Sequence, residues 1–479
     1  MYIIYSYLFI YNHSALKEIM DIEKQFEAAF SRITLDNGQP LVSVEPEIVH
    51  GCVVNNDFAK ITLILPDDSP LRGSLPAQVE AEIKKIERGA CGVVAIRGKL
   101  SETLKNNDFP RILVPDPNRA LREWAADVRK QFSGKVLAIT GSNGKTSTKD
   151  ILAGLCRFVN PRSYATPGNY NNFIGVSLTL LGATPEAKWW VIEIGTNQFG
   201  EIAELSKIVQ PTAAIITNIG ESHLEYLKNT AGVAREKSGI FAGMSPGNNL
   251  VIPDSLLHQK LVEDAAEKAG VRITRTGLLS EHFLEGNYKF RLFDVVFETS
   301  IESPLFRQNL VLALTLLHLE GVPVSQLQLA TSALDLSVKG RFQKICKADW
   351  ILIDDTYNAN PSSFQSVLEN LNKMYPDRRK IVVCGAMAEL GNLSPEFHRQ
   401  VGENMVKNGV EKMFGLGAAE IKFYLEGWKN GGGKLKAAKH FDELTELLIS
   451  FKEELRTEDV VLVKGSRSAK MERFVEAME

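Results

Sequence analysis

The chain has 479 residues, 44% hydrophobic and 24% charged, with a net charge of -3, which describes an ordinary soluble globular protein of two to four domains. A near-neutral balance supplies no basic field for nucleic acid or an anionic membrane. Five cysteines, Cys52, Cys91, Cys156, Cys346 and Cys384, include no C-x-x-C pair, so reduced thiols in a cytoplasmic compartment are expected, not disulfides or a zinc site.

The first stretch, "MYIIYSYLFIYN", is too short to span a bilayer and lacks the cationic start and cleavage site of a secretory signal. "MDIEKQFEAAF", from Met20, reads as a normal helical start, so residues 1–19 read as an extension or a mis-called start. Residues 20–132 mix short apolar runs ("ITLIL", "GVVAI", "RILVP") with a charged helix, "PAQVEAEIKKIERGA". They close on an amphipathic helix, "NRALREWAADVRKQF", with Leu121, Trp124, Ala125 and Val128 on one face. This predicts a small α/β domain.

Residues 133–338 change texture: "KVLAIT", "WWVIEIG" and "AAIITNIG" are continuous apolar runs separated by helical stretches, as in a parallel sheet covered on both faces. A third block, 339–479, repeats the alternation. Its strand candidates are "WILIDD", "KIVVCGA", "KMFGLG" and "VVLVKGS", and its helices include "SSFQSVLENLNKMY" and "HFDELTELLISFKEEL". Three α/β domains in series are expected.

Between the strand "KVLAIT" and the helix "TSTKDILAGLCRFV" lies the loop Gly141, Ser142, Asn143, Gly144, Lys145, Thr146 and Ser147. Strand, glycine loop and helix in that order form a phosphate cradle, with N–H groups and the helix dipole facing the anion. Lys145 would reach terminal phosphates, and the Thr146 hydroxyl would bind Mg²⁺. The usual G-x-x-x-x-G-K-[ST] pattern wants glycine where Ile139 stands, which indicates a shorter loop; the plain alternative is a glycine turn with a solvated lysine. Downstream, "GNYNNFIG" packs Asn169, Asn171 and Asn172 into four positions. Amides that dense suggest a polar ligand, or turn and helix caps.

At this point the chain resembles the Mur ligases, the ATP-dependent enzymes that add amino acids to the peptidoglycan precursor. The likeness covers roughly residues 130–240 and 339–475, and the short loop "TGSNGKTS" has that family's form. It also takes in "VIEIGTNQFGEI", "NIGESHLEYL", "GRFQ", "DDTYNANPSSF", "GAMAELG" and "VLVKGSRSAKMERFV". "YNANP" and "MAELG" are most similar to the branch that adds D-alanyl-D-alanine to the UDP-N-acetylmuramoyl-tripeptide. The resemblance implies a divergent N-terminal substrate domain (20–132), a central ATP-binding parallel sheet like that of P-loop ATPases (133–338) and a Rossmann-like domain for the amino acid or dipeptide (339–479).

It also implies roles for individual residues. Thr146 and Glu193 would hold one Mg²⁺, and His223 and Lys237 a second. In that family the lysine three and four residues before an aliphatic and a phenylalanine, here Ile240 and Phe241, is carbamylated by CO₂, because an unmodified ammonium would be repelled by the ions. Arg235 is out of register with that pair. Arg341 would reach the ATP phosphates; Asn309, Asp355 and Asn358 resemble nucleotide contacts. Asn360 resembles a contact to the incoming dipeptide, whose carboxylate Lys464 and Ser466 would hold. Each has a plainer alternative: a solvated strand-end carboxylate, a structural histidine, a solvated helix lysine, a solvated "KGSR" turn. The partners implied are small molecules (ATP, an acyl precursor, an amino acid or dipeptide) and the chain a monomer, with no nucleic acid and no membrane span.

Two departures stand out. Relatives of this branch carry an early [ST]-R pair and an "F-x-A-L-x-G-x-x-x-D-G-H" stretch for the uridine nucleotide. Here the region reads "HGCVVNNDFAKITLILPDDSPLRGSLPAQVE", with Asn55 and Asn56 near the place of the arginine. The second is "SPLFRQNLVLAL", where Arg307 and Asn309 match a "G-x-H-N-x-x-N" adenine segment but Phe306, Gln308 and Leu312 replace its other members. Three readings follow: a ligase of this branch with altered precursor contacts, a derived amide ligase acting on a non-UDP acyl substrate, and a catalytically silent partner subunit. The set Lys145, Thr146, Glu193, His223, Lys237 and Arg341 argues against the third.

Overall fold

The computed structural model describes strands at 2–6, 43–44, 60–64, 90–95 and 111–113, and then residues 117–183, 186–277, 288–334 and 340–478. The helices expected from Met20 and over 76–89 lie outside the described residues, as do Asn55, Asn56, Asp67, Asp68 and Arg72 of the divergent first block. The chain forms two compact units, one of residues 1–135, 164–192 and 207–210, the other of 136–163, 193–206 and 211–479.

The first unit contains a five-stranded sheet in the order 43–44, 111–113, 90–95, 2–6, 60–64. Tyr2–Ser6, set aside above as part of an extension, runs antiparallel to both Lys60–Ile64 and Ala90–Ala95. Its β-branched and aromatic residues suit a strand, a signal outweighed in the reading above by the normal start at Met20. The amphipathic helix appears at Pro117–Gln131, with Leu121 and Ala125 buried and Trp124 and Val128 partly so. Buried Arg129 donates from Nε to Val209 O and from Nη2 to Gln210 O, both at 2.7 Å. Tyr164–Ala165 pairs in parallel with Trp189–Glu193, whose Trp190 stacks on Phe132 at 3.7 Å.

In the second unit, Arg272–Thr276, Asn249–Pro253, Ala213–Ile216 and Lys135–Thr140 follow one another in parallel. A further sheet orders Gln343–Cys346, Ile351–Asp355, Val460–Lys464, Lys380–Cys384, Val410–Leu416 and Ala438–Phe441. Its first strand is antiparallel to the second and the rest are parallel. Uniformly apolar strands need cover on both faces. One face is packed by Phe364, Leu371, Met405 and Trp428, the other by Leu447, Phe451 and Phe474. The last predicted helix is shorter than its pattern: His440 and Phe441 belong to the edge strand and the helix runs Leu444–Glu454. The turns that carry the candidate site follow the C-terminal ends of the parallel strands, where ligands of open α/β sheets bind.

Candidate active site

The strand Lys135–Thr140 continues through Ile139, whose side chain is fully buried and whose carbonyl accepts from Ile194 N at 2.8 Å. The loop therefore begins only at Gly141, which accounts for its short form. Gly141 has φ +146°, and a Cβ there would lie 2.0 Å from Thr217 Oγ1. Gly144, at φ +75°, precedes the helix Lys145–Val159. Both positions demand glycine. The neighbouring strand end fixes the loop from below: Asn143 N donates to Asn218 Oδ1 at 2.8 Å, and Ser142 Oγ bonds both the amide and the carbonyl of Gly220. Lys145 Nζ donates to Gly141 O at 2.9 Å and Ser142 O at 3.2 Å. Thr146 and Ser147 are buried in the helix's first turn. Asn309 lies against Gly144, with its buried Nδ2 lacking a hydrogen-bond partner.

Charge converges here. Burial lowers the Lys145 ammonium below the usual lysine range, with Glu193 opposing and Arg341 adding to the shift. Glu193 ends its strand at 1% exposure. Lys237, on the helix Thr230–Ser238, is fully buried and its Nζ has no hydrogen-bond partner. Burial drives its ammonium well below the usual lysine range; the Lys145 charge adds to this, and Glu236 and Glu201 oppose it. Glu236 itself is spent on structure, accepting from Gly200 N at 2.6 Å, Ile202 N at 2.9 Å and Thr196 Oγ1 at 3.1 Å. His223 has φ +51°, and its Nδ1 lies 2.7 Å from Glu389 Oε2 of the "MAELG" turn; this contact holds the Glu389 carboxyl below the usual carboxylate range.

The third block supplies the other side. Arg341 Nη2 donates to Thr146 Oγ1 at 2.9 Å, and its guanidinium carbon lies 3.8 Å from the centre of the Tyr357 ring. Asn360 Nδ2 donates to Asn143 Oδ1 at 2.7 Å, while its Oδ1 accepts from Ser363 N and caps the helix Pro361–Met374. Asn143 Nδ2 donates to Ser362 Oγ at 2.8 Å. Lys464, 2% exposed, donates to Asp355 Oδ2 at 2.5 Å and to Asn358 O at 2.9 Å. Two residues expected to meet different ligands thus also pair with each other, Lys464 buried and Asp355 partly so. Ser466 is buried and its Oγ lies 3.0 Å from Ser468 Oγ. Asn358 is exposed.

One compact unit thus gathers the loop, Glu193, Lys237, Arg341, Asp355, Asn358, Asn360 and Lys464. Asn169, Asn171 and Asn172 belong to the other unit. There Asn169 is exposed, and Asn172 caps the helix Phe173–Leu181 through Gly175 N at 2.8 Å, the capping alternative its type allows. Tyr357, Glu236, Asn218 and Ser362 also build the site, although no local pattern singles them out; Tyr357 stands inside "YNANP".

Among the described residues, no three His, Cys, Asp or Glu side chains are grouped to hold a metal ion. Mg²⁺ does not need such a cage, since it takes one or two carboxylates and fills its shell with phosphate oxygens and water. The Thr146 hydroxyl and Glu193 carboxylate are donors of the right kind. A lysine ammonium is not, and only a modified Lys237 fits a metal role. The glycine loop and the converging Lys145 and Arg341 suit a polyphosphate.

The family model described as "Mur ligase middle domain" matches residues 139–313, and "Mur ligase, glutamate ligase domain" matches 340–467. The chain is 34% identical over 390 residues to the UDP-N-acetylmuramoyl-tripeptide--D-alanyl-D-alanine ligase of Escherichia coli, covering 78% of this chain and 83% of that one. Its fold is similar to MurF from Acinetobacter baumannii, with a TM-score of 0.72 at 27% identity over 83% of this chain and 86% of that one. It is also similar to MurF ligase from Thermotoga maritima in complex with ADP, with a TM-score of 0.70 at 26% identity over 83% and 90% of the two chains.

Proposed function

This chain belongs to the Mur ligase family, and from that premise we propose that it joins D-alanyl-D-alanine to UDP-N-acetylmuramoyl-tripeptide at the expense of ATP. The observation that carries the reading is the bond from Arg341 to Thr146, 2.9 Å long across 195 positions of sequence. It brings a second cation to a loop that already carries Lys145. Such convergence is what transfer of a γ-phosphoryl group requires, since that chemistry is mostly positioning and charge neutralisation.

A carboxylate does not condense with an amine in water because oxide is too poor a leaving group. The acyl carboxylate oxygen therefore attacks the γ-phosphorus, an O–P bond forms, the β–γ bridge breaks and ADP leaves. The dipeptide amine then attacks the acyl carbon, a C–N bond forms, phosphate departs and the amine's proton passes to solvent. Lys145 and Arg341 hold the phosphates in line. Asn309, beside Gly144, meets the nucleotide together with Asp355 and Asn358; Asn360, Lys464 and Ser466 serve the dipeptide end, and the Asp355–Lys464 pair stiffens that floor. Asn169, Asn171 and Asn172 serve the acyl substrate. Bound Mg²⁺, on Thr146 and Glu193 and in a second site on His223 and carbamylated Lys237, would neutralise and polarise the polyphosphate. In its neutral form the Lys237 amine would attack CO₂, forming an N–C bond as a C=O π bond opens and releasing a proton.

The division at about residues 132 and 338, a monomeric state and a cytoplasmic location belong to the same proposal. The spans of the two family matches, 139–313 and 340–467, support that division. A non-nucleotide acyl substrate rests on the first-block departures alone, and the relative's name speaks against it. The test is ADP release with UDP-N-acetylmuramoyl-tripeptide and D-alanyl-D-alanine, each omitted in turn, with the product weighed by mass spectrometry. ADP formation that ignores the dipeptide, or a product built on another acid, overturns the reading.

A further inference from the structure

Arg341 stands on an unusually well-fastened turn. Gly340 N donates to Asp354 Oδ2 at 3.1 Å, Tyr357 N donates to Gly340 O at 3.0 Å, and Phe342 N donates to Asp355 Oδ1 at 2.9 Å. Gly340 takes φ +75°, a left-handed conformation that glycine adopts without cost. The turn is thereby tied to the end of the strand Ile351–Asp355 and to the residue that follows it by two. Its guanidinium meets the Thr146 hydroxyl at 2.9 Å and the Tyr357 side chain, whose ring centre lies 3.8 Å from the guanidinium carbon.

Both of these contacts are uncharged, and that is the point of the arrangement. A carboxylate partner would fix a guanidinium firmly but would also cancel the charge it is meant to deliver. A ring face attracts the cation through its quadrupole while leaving the N–H fork free for an anion in the ring plane's direction. We propose that Tyr357 is a positioning residue for the phosphoryl-transfer step: its ring mounts Arg341 over the phosphate loop with the full positive charge unspent. Tyr357 touches no substrate in this role and acts only through Arg341. The inference rests on the reading of Arg341 given under the proposed function.

The experiment is a double-mutant cycle on the full chain, read as kcat for ADP release and as KM for each substrate. Tyr357→Phe keeps the ring and should stay within about twofold of wild type, whereas Tyr357→Leu, of comparable bulk without the π face, should lose about tenfold in kcat. In an Arg341→Ala background the same Tyr357→Leu change should cost nothing more, because the arginine it mounts is gone. A merely structural tyrosine would instead add its loss to that of Arg341→Ala. Pentafluorophenylalanine at 357 keeps the aromatic shape with a reversed quadrupole, and should behave like Leu. Equal activity of the Phe and Leu proteins, a pentafluoro protein as active as Phe, or additive losses in the cycle would each overturn the proposal. The wild-type chain and Arg341→Ala separate the two levels. A wild type without dipeptide-dependent ADP release strikes the reaction itself, and a fully active Arg341→Ala strikes the arginine's role; either removes the ground of this inference too.

Discussion

Lys237 is buried without a hydrogen-bond partner, and the Lys145 charge works against its own. Removing an ammonium from water costs far more than leaving an amine neutral, so burial favours the neutral form of this side chain. A neutral amine is the form that adds to CO₂, and the resulting anion is the form that tolerates a divalent cation nearby. Because the lysine pKa is lowered, the amine is neutral above that lowered value and becomes protonated as the pH falls through it; carbamate formation should fade in the same direction. Three results are expected: intact mass under gentle conditions shows the added carboxyl group, Lys237→Ala loses activity that formate partly restores, and Lys237→Arg stays inactive because guanidinium remains cationic. A fully active Lys237→Arg protein would remove the carbamate from the account.

The phosphate loop and the "MAELG" turn are both held by buried groups on neighbouring elements. In the turn, His398 accepts from Met387 N at Nε2, 3.1 Å away, and donates from Nδ1 to Ser394 O at 2.7 Å. That leaves room only for the neutral imidazole, and burial lowers its pKa below the ordinary histidine value of 6.5. The unfolded chain therefore binds the proton more readily than the folded one. The stability from this latch is complete above about pH 6.5 and drains as the pH falls toward the lowered value. Melting temperature should drop over that interval in the wild type, and His398→Gln, whose amide can still donate and accept, should flatten the slope. An unchanged slope would mean another group titrates there. The elements were readable before their fixings. "KVLAIT" and "VVLVKGS" declare buried strands by apolar continuity, and the glycines of 141 and 144 declare the loop between strand and helix. Nothing local announces that Lys464 pairs with Asp355, 109 residues away, or that Glu236 bonds Gly200, 36 residues away. Resemblance assigns Asp355 and Lys464 to separate ligands, and the folded chain also pairs the two with each other. His440 and Phe441 mislead because an edge strand shares its last residues with the approach to a helix.

At the scale of the molecule, the phosphate loop and the third block share one compact unit, while residues 164–192 of the central block group with the first block, where the resemblance would place a grip on a uridine diphosphate. Residues 51–80 carry Lys60 and Arg72 as their only cations and an acidic pair, Asp67 and Asp68. Phosphates held without paired cations are costly, so free UDP should bind more weakly than roughly 1 mM, a limit of about 4 kcal/mol. Micromolar UDP binding by calorimetry would show that the first block recognises the nucleotide in the ordinary way of its relatives. The bond between Arg341 and Thr146 has a bearing on the order of events. A hydroxyl oxygen that accepts from a guanidinium is poorly placed to face a magnesium ion at the same moment, since the two cations repel. If Thr146 takes the metal as proposed, nucleotide entering with it would have to dislodge the arginine, which would then pass from hydroxyl to phosphate. On that account the same side chain would slow arrival and speed turnover. Stopped-flow measurement on Arg341→Ala should find MgATP associating faster than with wild type while ADP formation slows. Association and catalysis moving in the same direction would mean that the arginine never stood in the metal's way, and that the nucleotide comes in unopposed.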